Sequence, residues 1–375
     1  MSVHRVIILS FLATLQWGCA TPPEPGVGDP VKWSQLEGWQ EDRHAESWTA
    51  LTRGCSKLQT REEWADLCRA AEALAEPSDA QARDFYERWF VPHEVNGVGG
   101  ERTGLITGYY EPLLSGNRER SQRYRYPIYE RPDDLIKVEL TDLYPELKGK
   151  RLRGRLVGNK IVPYYSRSLL DKDPSLLSGH ELLWVDDPVA LFFLHVQGSG
   201  RVLMPDGKVV GVGYADQNGH PYQSIGRALI TLGELEKDDV NLFSIREWLL
   251  NNPERIDGLL GRNASYVFFS ERPAPEEGPY GSMNVPLVAE RSIAVDPAVI
   301  SLGTPVWLET TLPDTREPYR RLMLAQDTGG AIKGPVRADV FWGLGERAER
   351  MAGLMKQTGQ LYVLLPRDRS TRPPG

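Results

Sequence analysis

From about Thr103 onward the chain is cut into short apolar or aromatic runs, each stopped within a few residues by Gly, Pro, Asn or Asp. Runs of that length are short for packed helices and suit strands, whose side chains alternate between two faces. Residues 105–110, 191–197 and 207–212 are such runs, and Pro205-Asp206-Gly207 is a hairpin turn. Short helices are expected at 222–232 and 245–251. A second β section runs through 265–269, 291–295, 304–309 and 321–326, followed by a helix at 347–358 and a last strand at 361–365. The content of 36 Gly and 28 Pro among 375 residues is high for a helical bundle and agrees with a turn-rich, mainly β protein. Before Thr103, residues 33–93 look helical. Glu62 to Leu74 has apolar positions three and four apart, and 80–90 places Phe85, Trp89 and Phe90 on one side. The length suffices for two domains, or for one with a large insertion, and no internal repeat is visible.

The first residues set the compartment. A weakly basic start (1–5) precedes an apolar run (6–17) and Gly18-Cys19-Ala20. The run is too short to span a bilayer and reads as a secretory signal. Cys19 stands where a bacterial lipoprotein is cleaved and acylated, although Gln16 occupies the position three before it, where Leu is usual. Residues 1–19 are therefore expected to be a lipoprotein signal peptide, 20–35 a tether, and 367–375 a polar tail. Acyl chains on Cys19 would attach the protein to a membrane surface without spanning it. Cys55 and Cys68 would be left, and in an exported chain they suggest one disulfide, two free buried thiols being the alternative. Two Cys and six scattered His show no metal-ligand spacing. A net charge of −7 and the absence of any Lys/Arg-rich run argue against nucleic-acid binding.

The most informative segment spans residues 325–343. Asp327 ends an apolar strand, Asp339 begins an apolar-aromatic one, and a glycine-rich connection of twelve positions separates them. A strand–turn–strand unit brings both carboxylates to one rim. Paired carboxylates beside Phe341 and Trp342 suit cleavage of a glycosidic bond, one protonated to donate and the other charged to orient it. Asp at strand ends is also ordinary turn chemistry, and aromatics are more often core than sugar platform. Two further clusters are Gly108-Tyr109-Tyr110-Glu111-Pro112 and His195-Val196-Gln197-Gly198-Ser199-Gly200. Adjacent tyrosines on a strand face opposite ways, so at most one lines a given groove. Read as a strand, 191–197 puts His195 and Gln197 on one face. A Ser199–His195 nucleophile pair lacks the Gly-x-Ser-x-Gly elbow, and Gly211-x-Gly213 is too little for a dinucleotide site.

Four segments in order carry a resemblance: 108–112, 193–200, Asn284-Val285-Pro286-Leu287 with 291–296, and 327–343. They look like the membrane-bound lytic murein transglycosylase A family over roughly residues 100 to 365. The resemblance implies a double-psi β-barrel domain carrying a second, barrel-like β domain inserted in the chain, with a substrate groove between them. The barrel domain would comprise 36–105, with the N-terminal helices, and 262–366. The insertion would be 106–261, and a 3D domain, named for three aspartates (here Asp296, Asp327 and Asp339), would occupy 290–365. The implied reaction is cleavage of the β-1,4 bond between N-acetylmuramic acid and N-acetylglucosamine. The muramoyl C6 hydroxyl attacks its own C1, leaving a 1,6-anhydro end, so one carboxylate serves as acid and then base.

Residue by residue, Asp339 falls on the catalytic acid/base, with its pKa expected to be raised by burial and a neighbouring carboxylate. Asp327 falls on a supporting aspartate. Tyr109, Glu111, Gln197 and Ser199 are candidate groove contacts. Asp296 joins them, together with Lys333, whose alternative role is to hold the acidic rim. No cofactor is implied. The expected partners are peptidoglycan strands and, through Cys19, a membrane, with the chain exported to the periplasmic side of an outer membrane. An inverting hydrolase or a non-catalytic glycan-binding module on the same fold are the rival readings.

Overall fold

Strand alternation organises the molecule. In the computed structural model, which describes residues 23–147, 149–274, 278–368 and 370, every second residue of the main sheet points into one core. Val306, Leu308, Met323, Ala325, Ala338, Val340, Leu361 and Val363 point inward. Their neighbours Trp307, Leu322, Leu324, Tyr362 and Leu364 point outward, into a second core. The signal segment and Cys19 lie outside the described residues.

Six strands close into a barrel: Thr103–Glu111, Ser292–Val295, Pro305–Thr311, Pro318–Asp327, Arg337–Leu344 and Lys356–Pro366. Ser292–Val295 runs parallel to Pro318–Asp327, and Arg337–Leu344 parallel to Thr103–Glu111. The remaining pairs are antiparallel, and pairing of Lys356–Pro366 with Thr103–Glu111 completes the ring. Closure leaves these strands no free edge inside the ring.

Helices Trp48–Leu58, Glu62–Leu74 and Asp79–Trp89 cover the outward apolar face. Trp39, Trp48, Trp64, Phe85 and Tyr86 pack there against Trp307, Leu322 and Leu324. The third helix starts at a capping box in which Ser78 and Gln81 satisfy each other's backbone amides. Cys55 and Cys68, both buried, are disulfide-bonded and join the first two helices. The stretch expected as a tether is partly structured. Gly26–Pro30 is a strand paired with Phe90–Asn96, because that strand offers it an open edge.

The insertion forms a six-stranded sheet in the order Val267–Arg272, Val209–Gln217, Ser199–Leu203, Leu113–Asn117, Glu181–Val185, Tyr126–Tyr129. A bridge from Glu130 to Phe269 links its two ends, which curls it toward a barrel around Leu114, Ile128, Leu183, Val202 and Phe269. The barrel strand runs to Glu111, past 106, and the last strand of the inserted sheet lies beyond 261. Helices Ile225–Thr231, Leu242–Asn251 and Ile256–Leu260 share a core with the barrel domain's helix Gly345–Leu354. That helix is shorter than the 347–358 expected, and Lys356 already starts the last strand.

One expectation is overturned. Residues Pro188–Gln197 are a helix, not a strand. Pro188 pre-sets the first turn, the Asp187 side chain accepts from the amides of Val189 and Ala190, and Gly198 ends the helix with φ 81°. Leu191 through His195 are all buried, so no polar face shows the helical period in the sequence.

Removing the disulfide tests the helical layer. A Cys55→Ala/Cys68→Ala variant is expected to lose about 3 kcal/mol of unfolding free energy, the chain-entropy value for a loop of this size. Guanidinium denaturation followed by circular dichroism reads this out, and an unchanged midpoint would mean that packing alone fixes the two helices.

Candidate active site

Four strands lie side by side at one rim of the barrel and put four residues in a row. In register, Asp327 lies beside Ala294, Ala294 beside Asp339, and Asp339 beside Thr107. Two strand spacings separate the aspartates, so their backbones stand about 10 Å apart, and between them the strand carries only the small side chain of Ala294. Asp339 shares its face with Arg337 and Phe341, while Ala338, Val340 and Trp342 point into the core. Asp327 reaches this face through an irregularity. The register slips one residue between Ile293 and Ala294, so Ala325 faces inward and Asp327 does not. Beneath the row Tyr109, Leu287, Ala294, Ile332 and Phe341 form a small apolar cluster, with the Tyr109 and Phe341 rings 5.2 Å apart.

The two carboxylates are held differently. Asp327 accepts at Oδ1 from the backbone amide and hydroxyl of Ser282, both at 2.8 Å, and from the Thr328 amide at 2.9 Å. Its Oδ2 accepts from the Tyr109 hydroxyl at 2.9 Å. Asp339 accepts at Oδ1 from the Thr107 hydroxyl at 2.6 Å. Burial pushes the Asp339 carboxyl above its ordinary value, Arg337 and Thr107 pull it down, and the charge of Asp327 adds to the rise. Burial raises Asp327 as well, against the pull of Ser282, Thr328 and Tyr109. Burial, followed by the charges of Asp327 and Asp339, raises Tyr109 well above the usual phenol range and keeps it a donor.

The remaining candidates divide by what they touch. Glu111 is buried and paired with Arg201 of the inserted sheet at 3.0 Å. Burial raises its carboxyl, opposed by Arg201. Gln197, at the end of its helix, accepts from the Tyr110 amide at 3.2 Å. Ser199 is half-buried where the next strand begins. Asp296 accepts from the amides of Gly334 at 2.9 Å and Ala298 at 3.2 Å, with the exposed Lys333 amine 3.5 Å away. Burial opposes the Asp296 charge, but these amides and Lys333 hold its carboxyl below its ordinary value. Asp296 and Lys333 thus fasten the glycine-rich loop between the two aspartates.

His195 does not meet Ser199 as a base. It is buried beside Tyr266 and Phe269, with Nδ1 2.8 Å from the Arg167 guanidinium, and burial holds it well below its ordinary pKa. Among the described residues no group of three or more His, Cys, Asp or Glu is placed to hold a metal ion.

Sequence reading missed Thr107, Ser282 and Arg337. Arg337 and Thr107 lay inside segments already singled out. Ser282 lies on a loop whose only sequence signal is the Gly281–Asn284 turn, with Asn284 at φ 57°.

Comparison with known proteins agrees with this architecture. A family model described as the MltA specific insert domain matches residues 105–270, and one described as the 3D domain matches 291–365. The membrane-bound lytic murein transglycosylase A of Escherichia coli (strain K12) is 34% identical over 280 residues, 72% of this chain and 68% of the relative. The crystal structure of MltA from Neisseria gonorrhoeae superposes with a TM-score of 0.77 at 37% identity, covering 92% of this chain and 98% of that one. E. coli MltA with bound chitohexaose shares the fold, with a TM-score of 0.71 at 24% identity over 94% of this chain and 98% of that one. Two ordered family matches, a relative aligned over most of both chains and a common fold place this protein in the membrane-bound lytic murein transglycosylase A family.

Proposed function

We propose that the chain is a peptidoglycan lytic transglycosylase that cleaves the β-1,4 bond between N-acetylmuramic acid and N-acetylglucosamine and leaves 1,6-anhydromuramoyl ends. Family membership supports the activity, and the row Asp327–Ala294–Asp339–Thr107 supports the mechanism. One observation carries the assignment of roles: four donors hold Asp327, against one hydroxyl on Asp339. Donors favour the charged form of a carboxylate. Asp327 is therefore the fixed anion, and Asp339 is the group that gives up and regains a proton.

In the first step Asp339 donates its proton to the glycosidic oxygen as the C1–O4 bond breaks. Positive charge develops at C1 and the neighbouring anion Asp327 stabilises it. In the second step the muramoyl C6 oxygen bonds to C1 while Asp339 takes the C6 hydroxyl proton. One residue is acid and base in turn, and no water enters. Tyr109, Glu111, Gln197 and Asp296 act from behind the site, through the contacts described above. Lys333 and Ser199 remain the candidates for direct sugar contact. The membrane-bound relatives support a membrane-associated enzyme of the cell envelope. Among the described residues no helix is long and apolar enough to cross a membrane. Acylation of Cys19 and placement on the periplasmic side of an outer membrane complete the proposal.

The test is a digest of purified murein sacculi with protein lacking residues 1–19, read by mass spectrometry. Anhydro-muropeptides, one water lighter than their reducing counterparts, are expected, together with loss of activity of about 100-fold or more in Asp339→Asn. Reducing ends would assign the fold to hydrolysis, and full activity in Asp339→Asn would remove the acid/base role.

The raised carboxyl of Asp339 has a sign for pH. The acid form persists above the ordinary carboxylate range, so the first step is expected to fall off only as pH rises through the raised value. A profile that already declines through the range of a free aspartate would contradict this. The same shift acts on stability. A carboxyl raised by folding loses stability as pH climbs from its unfolded to its folded pKa. Asp339→Asn, freed of that charge, is expected to be inactive yet to melt no lower than wild type at neutral pH.

A further inference from the structure

Thr107 has one hydroxyl proton, and two neighbours determine where it points. Arg337 Nη2 lies 2.9 Å from Thr107 Oγ1, and Asp339 Oδ1 lies 2.6 Å from the same oxygen. A guanidinium only donates. The contact with Arg337 therefore uses a lone pair of the hydroxyl, and the hydroxyl proton is left for Asp339. Arg337 is itself fixed: its Nη1 donates to the carbonyls of Ala338 at 2.5 Å and Leu105 at 3.3 Å. These bonds are held by the parallel pairing of Arg337 with Leu105 and of Asp339 with Thr107.

We propose that Arg337 is a positioning residue of the reaction: by donating to Thr107 it commits that hydroxyl to Oδ1 of Asp339 and reserves Oδ2 as the oxygen that carries the transferred proton. With Oδ1 occupied by a donor, a proton on that oxygen would confront the hydroxyl proton. The acid form is therefore protonated at Oδ2. That proton passes to the glycosidic oxygen as C1–O4 breaks, and Oδ2 takes the C6 hydroxyl proton as C1–O6 forms. Oδ1 keeps its bond to Thr107 throughout, so the carboxyl does not turn between steps.

Arg337 also faces Asp339 as a cation. The other titratable groups there are Asp327, across Ala294, and Tyr109, on the strand of Thr107. Arg337 opposes the rise that burial and Asp327 impose, so one carboxyl can both release and recover a proton near the same pH.

The inference rests on Asp339 being the acid/base, and the experiment separates the two. Anhydro-product formation is followed against pH for wild type, Asp339→Asn, Thr107→Val, Thr107→Ser, Arg337→Met and the Thr107→Val/Arg337→Met double variant, each checked for an unchanged melting profile. Thr107→Val is expected to lose about 100-fold, as a misplaced catalytic group does, and Thr107→Ser to keep most of the activity. Arg337→Met is expected to lose about 10-fold, the scale of one charge-assisted hydrogen bond, and to move the alkaline limb of the profile upward. The double variant is expected to be little worse than Thr107→Val. An unmoved pH limb in Arg337→Met, losses that multiply in the double variant, or full activity in Thr107→Val beside a dead Asp339→Asn would overturn the role of Arg337. An active Asp339→Asn would instead overturn the acid/base assignment beneath it.

Discussion

Both carboxylates depend on the seating of one four-residue strand, Ser292–Val295, all of it buried. It lies between the strand that ends in Asp327 and the strand that carries Asp339, and its Ala294 is paired with both. So short a strand cannot hold its own register by hydrogen bonds alone, and polar anchors fix it at both ends. Before it, buried Arg291 pairs with Asp42 at 2.7 and 3.0 Å and with Glu46 at 2.7 Å, and donates to the carbonyls of Arg43 and Leu322. After it, Asp296 caps a turn and holds the glycine-rich loop through Gly334. Removing one partner of a buried pair leaves a bare charge, at a cost of about 3–5 kcal/mol. The Arg291 pair ties the N-terminal layer to the barrel at the strand that sets the spacing of the aspartates.

That anchoring gives two carboxylates unequal surroundings. Burial raises both. Asp327, at the end of its strand, is reached by amides of its own turn and of the 279–287 loop. Asp339, within its strand, has its backbone engaged on both sides and only the neighbouring Thr107 and Arg337 at hand. The positions of the residues along their strands therefore give Asp327 four donors and Asp339 one.

The fold was legible wherever alternation was strong. The strands around 105–110, 207–212 and 321–326 lie where the apolar pattern put them, because each has one buried face and one different face. The helix Pro188–Gln197 does not show in the apolar pattern because Leu191 to His195 are all buried, and its sequence signal lies in its caps, Asp187 and Gly198. Asp327 and Asp339 stand out in the sequence because two carboxylates bracket a glycine-rich connection between apolar runs. Their partners do not. Thr107 reaches Asp339 across 232 positions and Ser282 reaches Asp327 across 45, and nothing local in a Thr or a Ser marks such a contact. Phe341 and Trp342, weighed as a sugar platform or as core, are both buried.

The adjacent tyrosines show how the inserted domain and the chemistry are joined. Tyr109 and Tyr110 point to opposite faces of one strand. Tyr109 braces Asp327. Tyr110 donates to Glu349, which also binds Arg246 of a helix from the insertion, and its backbone amide is held by Gln197. One residue further on, Glu111 pairs with Arg201 of the inserted sheet. Two positions earlier on the face of Tyr109, Thr107 holds Asp339. The strand Thr103–Glu111 thus touches both aspartates on one face and binds the insertion along its last two residues. The contacts that seat the insertion and the Thr107 and Tyr109 contacts to the carboxylates lie on the same nine residues. The insertion follows directly on the strand whose Thr107 and Tyr109 contact Asp339 and Asp327.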